Sequence, residues 1–238
     1  MRRVLQLDGI EVPGYHGGPI NGREAFLKLT TMASTALSRF KAELARRRGD
    51  GRGAAVGCIR GTGLGVSFGA LVDALERDEP RDLQGPFEST DSISGAVWMA
   101  SDLLGPVHDT ALLKLRFEKG TDKLPLHAHL HSDRVIFVLS GRGFYHASSE
   151  PMESFTGCDV QSIAVRERDA LVFTRGVIHT FTAPTEPLVL LSFHAPFIPL
   201  DQPDQYTVPV DVVRFVSDGH SPNGLVGCVP AWTLLVGS

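Results

Sequence analysis

The sequence predicts a mainly β fold, a barrel or sandwich of short strands preceded by a partly helical N-terminal extension. Three observations predict it. From about Ile93 onward short apolar runs recur, divided by polar or Pro-containing breaks, as in a barrel or sandwich. Clear helical periodicity is confined to the stretch before them. Finally, 42% hydrophobic and 21% charged residues over 238 positions describe an ordinary globular chain that can bury a real core.

Residues 1–20 are rich in Gly and Pro and read as an extended, irregular arm. A helix follows. Asn21 is placed to cap it, Glu24 stands three residues on as in a capping box, and Phe26, Leu29, Ala33, Leu37, Phe40 and Leu44 recur at helical spacing until Gly49. Left in water, that stripe would be an unusual apolar patch, so the helix from about Gly22 to Arg48 is expected to pack on the barrel or on another subunit. Arg46, Arg47 and Arg48 complement the negative end of this helix. The Gly-rich stretch Gly49 to Gly57 reads as a break. A shorter helix from about Phe68 to Asp78 then places Phe68, Leu71, Val72 and Leu75 on one side and stops before Pro80. Gly61, Gly63, Gly65 and Gly69 precede or enter it without forming a phosphate loop. The dinucleotide pattern would need Gly where Phe68 stands, and the Walker pattern would need Lys, so the segment reads as a flexible connection.

The strand pattern begins at about Ile93. Leu113, Leu115 and Phe117 alternate with Lys114 and Arg116, the period of a half-buried strand. Val135 to Leu139 is a continuous apolar run followed by a turn at Ser140-Gly141-Arg142-Gly143, and further runs lie at Ile163–Val165, Leu171–Phe173 and Leu188–Phe193. Val210 to Val216 is a candidate for one more strand. The resulting division is an extension over 1–92, a barrel over 93–200 and a C-terminal segment over 201–238.

A formal net charge of −4 gives no reason to expect nucleic acid or an acidic membrane as partner. Cys58, Cys158 and Cys228 are odd in number and far apart, so neither a disulfide framework nor a zinc knuckle is read from them, and a reducing compartment is the default. Met1 to Ile10 meets Gln6 and Asp8 before any long apolar run, which makes a poor signal peptide. No stretch reaches about 18 uninterrupted apolar residues. A cytoplasmic location is the expectation.

The densest chemical signal is His127-Ala128-His129-Leu130-His131. Residues two apart on an extended chain share a face, so His127 and His129 can aim both imidazoles at one point. Nine histidines placed at random would give such a string in roughly one chain of this length in a hundred. Isolated His16, His108 and His220 read as structural. His146 and His194 lie on or beside predicted strands, and although either could face a cavity, a structural role is the reading for both.

Gly120, His127, His129, Arg134 and Gly141 fall close to the places of the first cupin motif, with one extra residue after Gly120 and Arg where that motif carries Glu. Arg168, Thr174, Gly176, His179 and Ala183 stand at the places of the second motif, of which only the Gly and the His are kept. Over roughly 90 residues, from about Asp109 to Pro196, the chain therefore resembles the cupin superfamily. The resemblance implies a double-stranded β-helix, or jelly roll, with a metal inside the barrel held by His127, His129 and His179, and it makes a homodimer paired through sheet edges plausible. It places His131 in the turn before the next strand, at the pocket mouth. Arg134 cannot coordinate a cation, so either three histidines form the whole set, the preferred reading, or Asp133 shifts register and supplies a carboxylate. A site without the acid leaves the ion its full charge and favours an anionic ligand, with His131, Asp133 and Arg134 as pocket residues. Three imidazoles with open positions suit a reactive divalent transition metal, Fe first, with Zn, Ni or Mn as alternatives. The function expected first is oxidation of a small anionic molecule at mononuclear iron, as in a dioxygenase. A non-enzymatic ligand or metal sensor, and a metal-dependent isomerase or hydrolase, remain open beside it, since one fold serves all three.

Overall fold

The computed structural model describes residues 5–6, 19–48, 54–61, 66–83, 85, 91–122, 124–148, 150–157, 160–208, 213–216 and 227–230. His16, His220 and Cys158 lie outside them, as do Gly63, Gly65 and the start of the strand expected at 210–216. In chain order the elements are β1 (Leu5–Gln6), α1 (Gly22–Arg48), β2 (Val56–Ile59), α2 (Val66–Leu75), β3 (Arg81–Asp82), β4 (Ile93–Met99), α3 (Ala100–Leu103) and β5 (Ala111–Phe117). They continue as β6 (Asp133–Ser140), β7 (Arg142–Ser148), β8 (Gln161–Arg166), β9 (Ala170–Phe173), β10 (Ile178–Thr182), β11 (Leu188–Ala195), β12 (Val213–Val216) and β13 (Gly227–Pro230). No helix among the described residues is long and apolar enough to cross a membrane.

The fold is mainly β, as the alternation predicts, and is built from two sheets in the jelly-roll manner. The larger runs β1-β2-β9-β6-β11-β5-β4-β3 and the smaller β10-β7-β8, with β12 and β13 as a separate ribbon. Bridges at Thr121↔Ala183, His127↔His179 and Ala128↔Thr207 widen the smaller sheet on the β10 side. Side chains alternate across each strand. On β6, Ile136 and Val138 join the cluster between the sheets, whereas Val135 and Phe137 join the one that the helices cover. Burial on both faces explains why β6 and β11 read as nearly continuous apolar runs.

Asn21 Oδ1 accepts the Glu24 backbone N–H at 2.9 Å, the expected cap of α1. The whole predicted stripe is buried, together with Met32 and Ala36, and packs with Phe68, Leu71 and Leu75 of α2 on the outer face of the larger sheet. Phe68 meets Phe137 with ring centroids 5.3 Å apart. Each large apolar side chain buried there contributes roughly 1.5–3 kcal/mol.

Two local expectations change. Leu5–Gln6, inside the arm expected over residues 1–20, forms β1, and Val56–Ile59, which starts inside the Gly-rich break expected over Gly49 to Gly57, forms β2, with Cys58 paired to Leu171 of β9. Pairing to an existing sheet edge outweighs weak local strand preference. The turn expected over Ser140–Gly143 contracts to Gly141, because Ser140 ends β6 and Arg142 begins β7. Gly141 has φ of 80°, and a β-carbon there would collide with the carbonyl oxygen of Pro187.

Candidate metal centre

Three imidazoles meet between the sheets. His127 and His179 face each other across an isolated antiparallel bridge, joined by backbone bonds His127 N–H to His179 O at 3.1 Å and His179 N–H to His127 O at 2.8 Å. His129 projects from the same face two residues later. The rings lie with centroids 4.5 to 5.2 Å apart, and one ligand atom from each falls within 4.8 Å of the others.

Their orientation is fixed from behind. His127 Nδ1–H donates to Pro125 O at 2.9 Å, His179 Nδ1–H to Val177 O at 2.9 Å, and His129 Nδ1–H to Gln205 O at 2.6 Å. A carbonyl can only accept, so all three rings carry the proton on Nδ1 and turn a lone pair on Nε2 away from those carbonyls. Burial pushes the His127 imidazole down to about 4, with the nearby Arg134 charge adding to the effect. Burial likewise holds His129 and His179 well below the usual range. Neutral, like-tautomer imidazoles backed by carbonyls are suited to hold a divalent transition metal.

The rings line a cavity of about 40 Å³ between the sheets. Ile136, Phe117, Phe173 and Phe181 belong to its apolar wall. Facing the histidines on the larger sheet are Arg134 and His194, which are direct cross-strand partners on β6 and β11 and both line the cavity. Arg134 is 1% exposed, with Nη1 donating to the Ser132 hydroxyl and, at 3.2 Å, to Asp133 O. Its Nη2 has no partner among the described residues. Burial pushes this guanidinium down to about 9, still charged at neutral pH. The lining residues include no Asp or Glu among those described.

Asp133 does not enter the cavity. As the neighbour of an inward Arg134 on one strand, its side chain goes to the other face. There it accepts from Lys41 Nζ of α1 at 2.6 Å and from Arg175 N–H at 2.9 Å. Burial alone would raise its carboxyl, but these bonds outweigh burial and hold it below the usual range. The pocket and fourth-ligand expectations for Asp133 are thereby corrected. His131 is corrected too, for the chain bends at Leu130 and loses strand parity, leaving His131 exposed and off the cavity lining.

Sequence reasoning left His194 as structural and overlooked Gln205 and Tyr206, which all line the cavity. The last two arrive because Thr207 and Ala128 exchange backbone bonds of 2.9 and 3.0 Å, laying the segment after Leu200 along the His127–His129 strand. The Tyr206 ring lies 5.1 Å from His127 and 5.5 Å from His129. His146, by contrast, binds Ser162 Oγ at 2.8 Å and Thr182 Oγ1 at 2.9 Å, a structural role as expected.

Behind His179, the Tyr145 ring lies 5.7 Å away and its buried hydroxyl has no partner among the described residues. Removing an unsatisfied hydroxyl while keeping the ring should cost nothing. Tyr145→Phe is expected to leave the urea midpoint unchanged or raise stability by about 1 kcal/mol. A loss of more than that would reveal a partner for the hydroxyl.

No family model matches the chain, and a search of curated proteins returned no match. Among solved structures, it is similar to vicilin from Corylus avellana (19% identity, 48% of this chain and 32% of that one, TM-score 0.37). It is also similar to oxalate decarboxylase from Lactobacillus farciminis in a formate complex (15% identity, 50% and 32%, TM-score 0.38). A third similarity is to recombinant oxalate oxidase in complex with glycolate (17% identity, 51% and 60%, TM-score 0.39). The chain thus spans between 32% and 60% of the length of these three proteins.

Proposed function

We propose that this chain is a metal-dependent enzyme of the cupin type that oxidises a small anionic molecule at a mononuclear centre held by His127, His129 and His179. One observation carries the reading. A buried, charged Arg134 with Nη2 unpartnered among the described residues opens into the same small cavity as three neutral imidazoles of one tautomer. A buried guanidinium left without an anion is costly, and a carboxylate matches its fork. Iron, the first candidate, would supply redox chemistry and open positions for substrate and dioxygen.

The protein's own contribution is to hold, orient and exclude. Arg134 binds the carboxylate, the three backing carbonyls keep the imidazoles aimed, and the apolar wall restricts water. Beside the three histidines of the centre, the described lining residues able to accept or donate a proton are His194, Tyr206 and Ser192, with no Asp, Glu, Cys or Lys among them. A purely sensing role finds no comparable support in the cavity.

The test begins with the metal content of protein purified without added metal, followed by O₂ uptake against a panel of small hydroxy, oxo and thiol acids. Uptake that depends on iron and on one acid class is expected; none with any metal would overturn the oxidative reading. Arg134→Lys should keep the metal but weaken propionate binding, measured calorimetrically, by about 1.5–3 kcal/mol, the range for a hydrogen bond to a charged group. Undiminished propionate affinity would remove Arg134 from the site.

A further inference from the structure

The cavity holds more unpartnered polar atoms than a simple carboxylate can satisfy. Gln205 is fully buried, and neither its amide nitrogen nor its amide oxygen has a partner among the described residues. Its backbone carbonyl is engaged by His129, which fixes the residue's place, and Gln205 is among the residues lining the cavity. His194, 4% exposed, likewise has an Nδ1 without partner among the described residues and stands beside Arg134 on the neighbouring strand. Its ring centroid is 6.3 Å from that of His129, and it lies outside the three-histidine group.

We infer that Gln205 and His194 contact the ligand and select a small hydroxy acid, whose carboxylate lies on Arg134 and whose hydroxyl lies within reach of the Gln205 amide. This rests on the reading of the site as a metal centre for small anions. The chemistry of the second group follows by matching. An ammonium would need an anion, and the described lining residues offer none. A second carboxylate can only accept, which would leave the Gln205 amide oxygen without a donor. A hydroxyl both donates and accepts, and answers the amide and the imidazole together. A cavity of about 40 Å³ keeps the carbon count low. Leaving a buried amide unpaired is what makes such a site reject the analogue that lacks the hydroxyl.

The test uses the full chain loaded with Zn(II), which is redox-silent, and measures calorimetric affinities for propionate, 2-hydroxypropionate and 3-hydroxypropionate. The wild type should bind one hydroxy acid at least about 10-fold tighter than propionate, the worth of one good buried hydrogen bond. Gln205→Met, which keeps length and apolar volume, should bring that ratio close to one while moving propionate affinity by less than about twofold, well below one such bond. His194→Phe should reduce the same ratio without loss of zinc, and it gives the answer independently if the Gln205 variant does not fold. A wild-type ratio near one overturns the inference. So does a ratio that persists in both variants, which would place the hydroxyl on the metal alone. If propionate binds with an Arg134-dependent affinity and only the ratio fails, the hydroxy-acid inference falls and the anion reading stands. If propionate binds wild type no better than Arg134→Lys, both fall.

Discussion

His129→Ala and His179→Ala are each expected to emerge from purification with no bound transition metal, against about one ion per wild-type chain by elemental analysis. Either change leaves two imidazoles, and weakening only the groups that support a ligand already costs 10- to 100-fold in affinity, so losing the ligand itself should cost about 100-fold or more. The two residues are independent probes because they come from separate segments joined across the His127↔His179 bridge region. Far-UV circular dichroism should stay unchanged, since the bridge is made by backbone atoms. His146→Ala is the matched control. It removes an equally buried imidazole whose nitrogens are bound to Ser162 and Thr182, and it should retain the ion. Wild-type metal content in either ligand variant would remove the centre from the account.

The second large effect is on acid stability. In protein stripped of metal by a chelator, His127 has its imidazole pushed down to about 4 by burial, whereas an unfolded histidine titrates near 6.5. Above pH 6.5 neither state binds the proton and stability is complete. Between pH 6.5 and 4 the unfolded chain takes up a proton that the folded chain refuses, so stability falls, and it levels off as pH drops through the folded value. Over those 2.5 pH units this one residue withdraws up to about 3 kcal/mol. His129, His179 and His194, each held well below the usual range by burial first, act in the same direction. Asp133 contributes at lower pH, because its carboxyl is held below the ordinary carboxylate value. Urea titrations from pH 7.5 to 4.5 should show a midpoint that holds above about pH 6.5 and falls below it, with proton uptake on unfolding. A flat profile would mean that the rings are already solvated. Added metal should raise stability by a similar amount at pH 7.5 and at pH 4.5, because only neutral imidazoles are ligands and the folded rings stay neutral over that range.

Much of this was legible in the residues, for definable reasons. The stripe from Phe26 to Leu44 announces α1 because helix burial has a local period, and the alternation of Leu113 to Phe117 announces β5 in the same way. His127, His129 and His179 were readable from spacing and resemblance together. What could not be read depends on pairing between distant segments. His194 is one histidine on an apolar strand until β11 is set beside β6, when it becomes the neighbour of Arg134. Gln205 and Tyr206 carry no local signal at all, for they reach the cavity only when Thr207 pairs with Ala128. Asp133 was ambiguous for the same reason. Its side is decided by Lys41, 92 residues away, and by the register of β6.

Asp133 and Arg134 are joined by one peptide bond, yet the sheet passes between their charges. The anion is paired outside with Lys41 and Arg175, so the cavity keeps the cation and, among the described residues, no acid. A divalent ion entering there meets a like charge, and a carboxylate entering there meets an opposite one. Each guest therefore improves the welcome for the other, and thermodynamic reciprocity requires the two affinities to rise by the same factor. The centre would behave as a cooperative two-component receptor, holding its metal most firmly when the acid is present and releasing it more readily once the acid has gone.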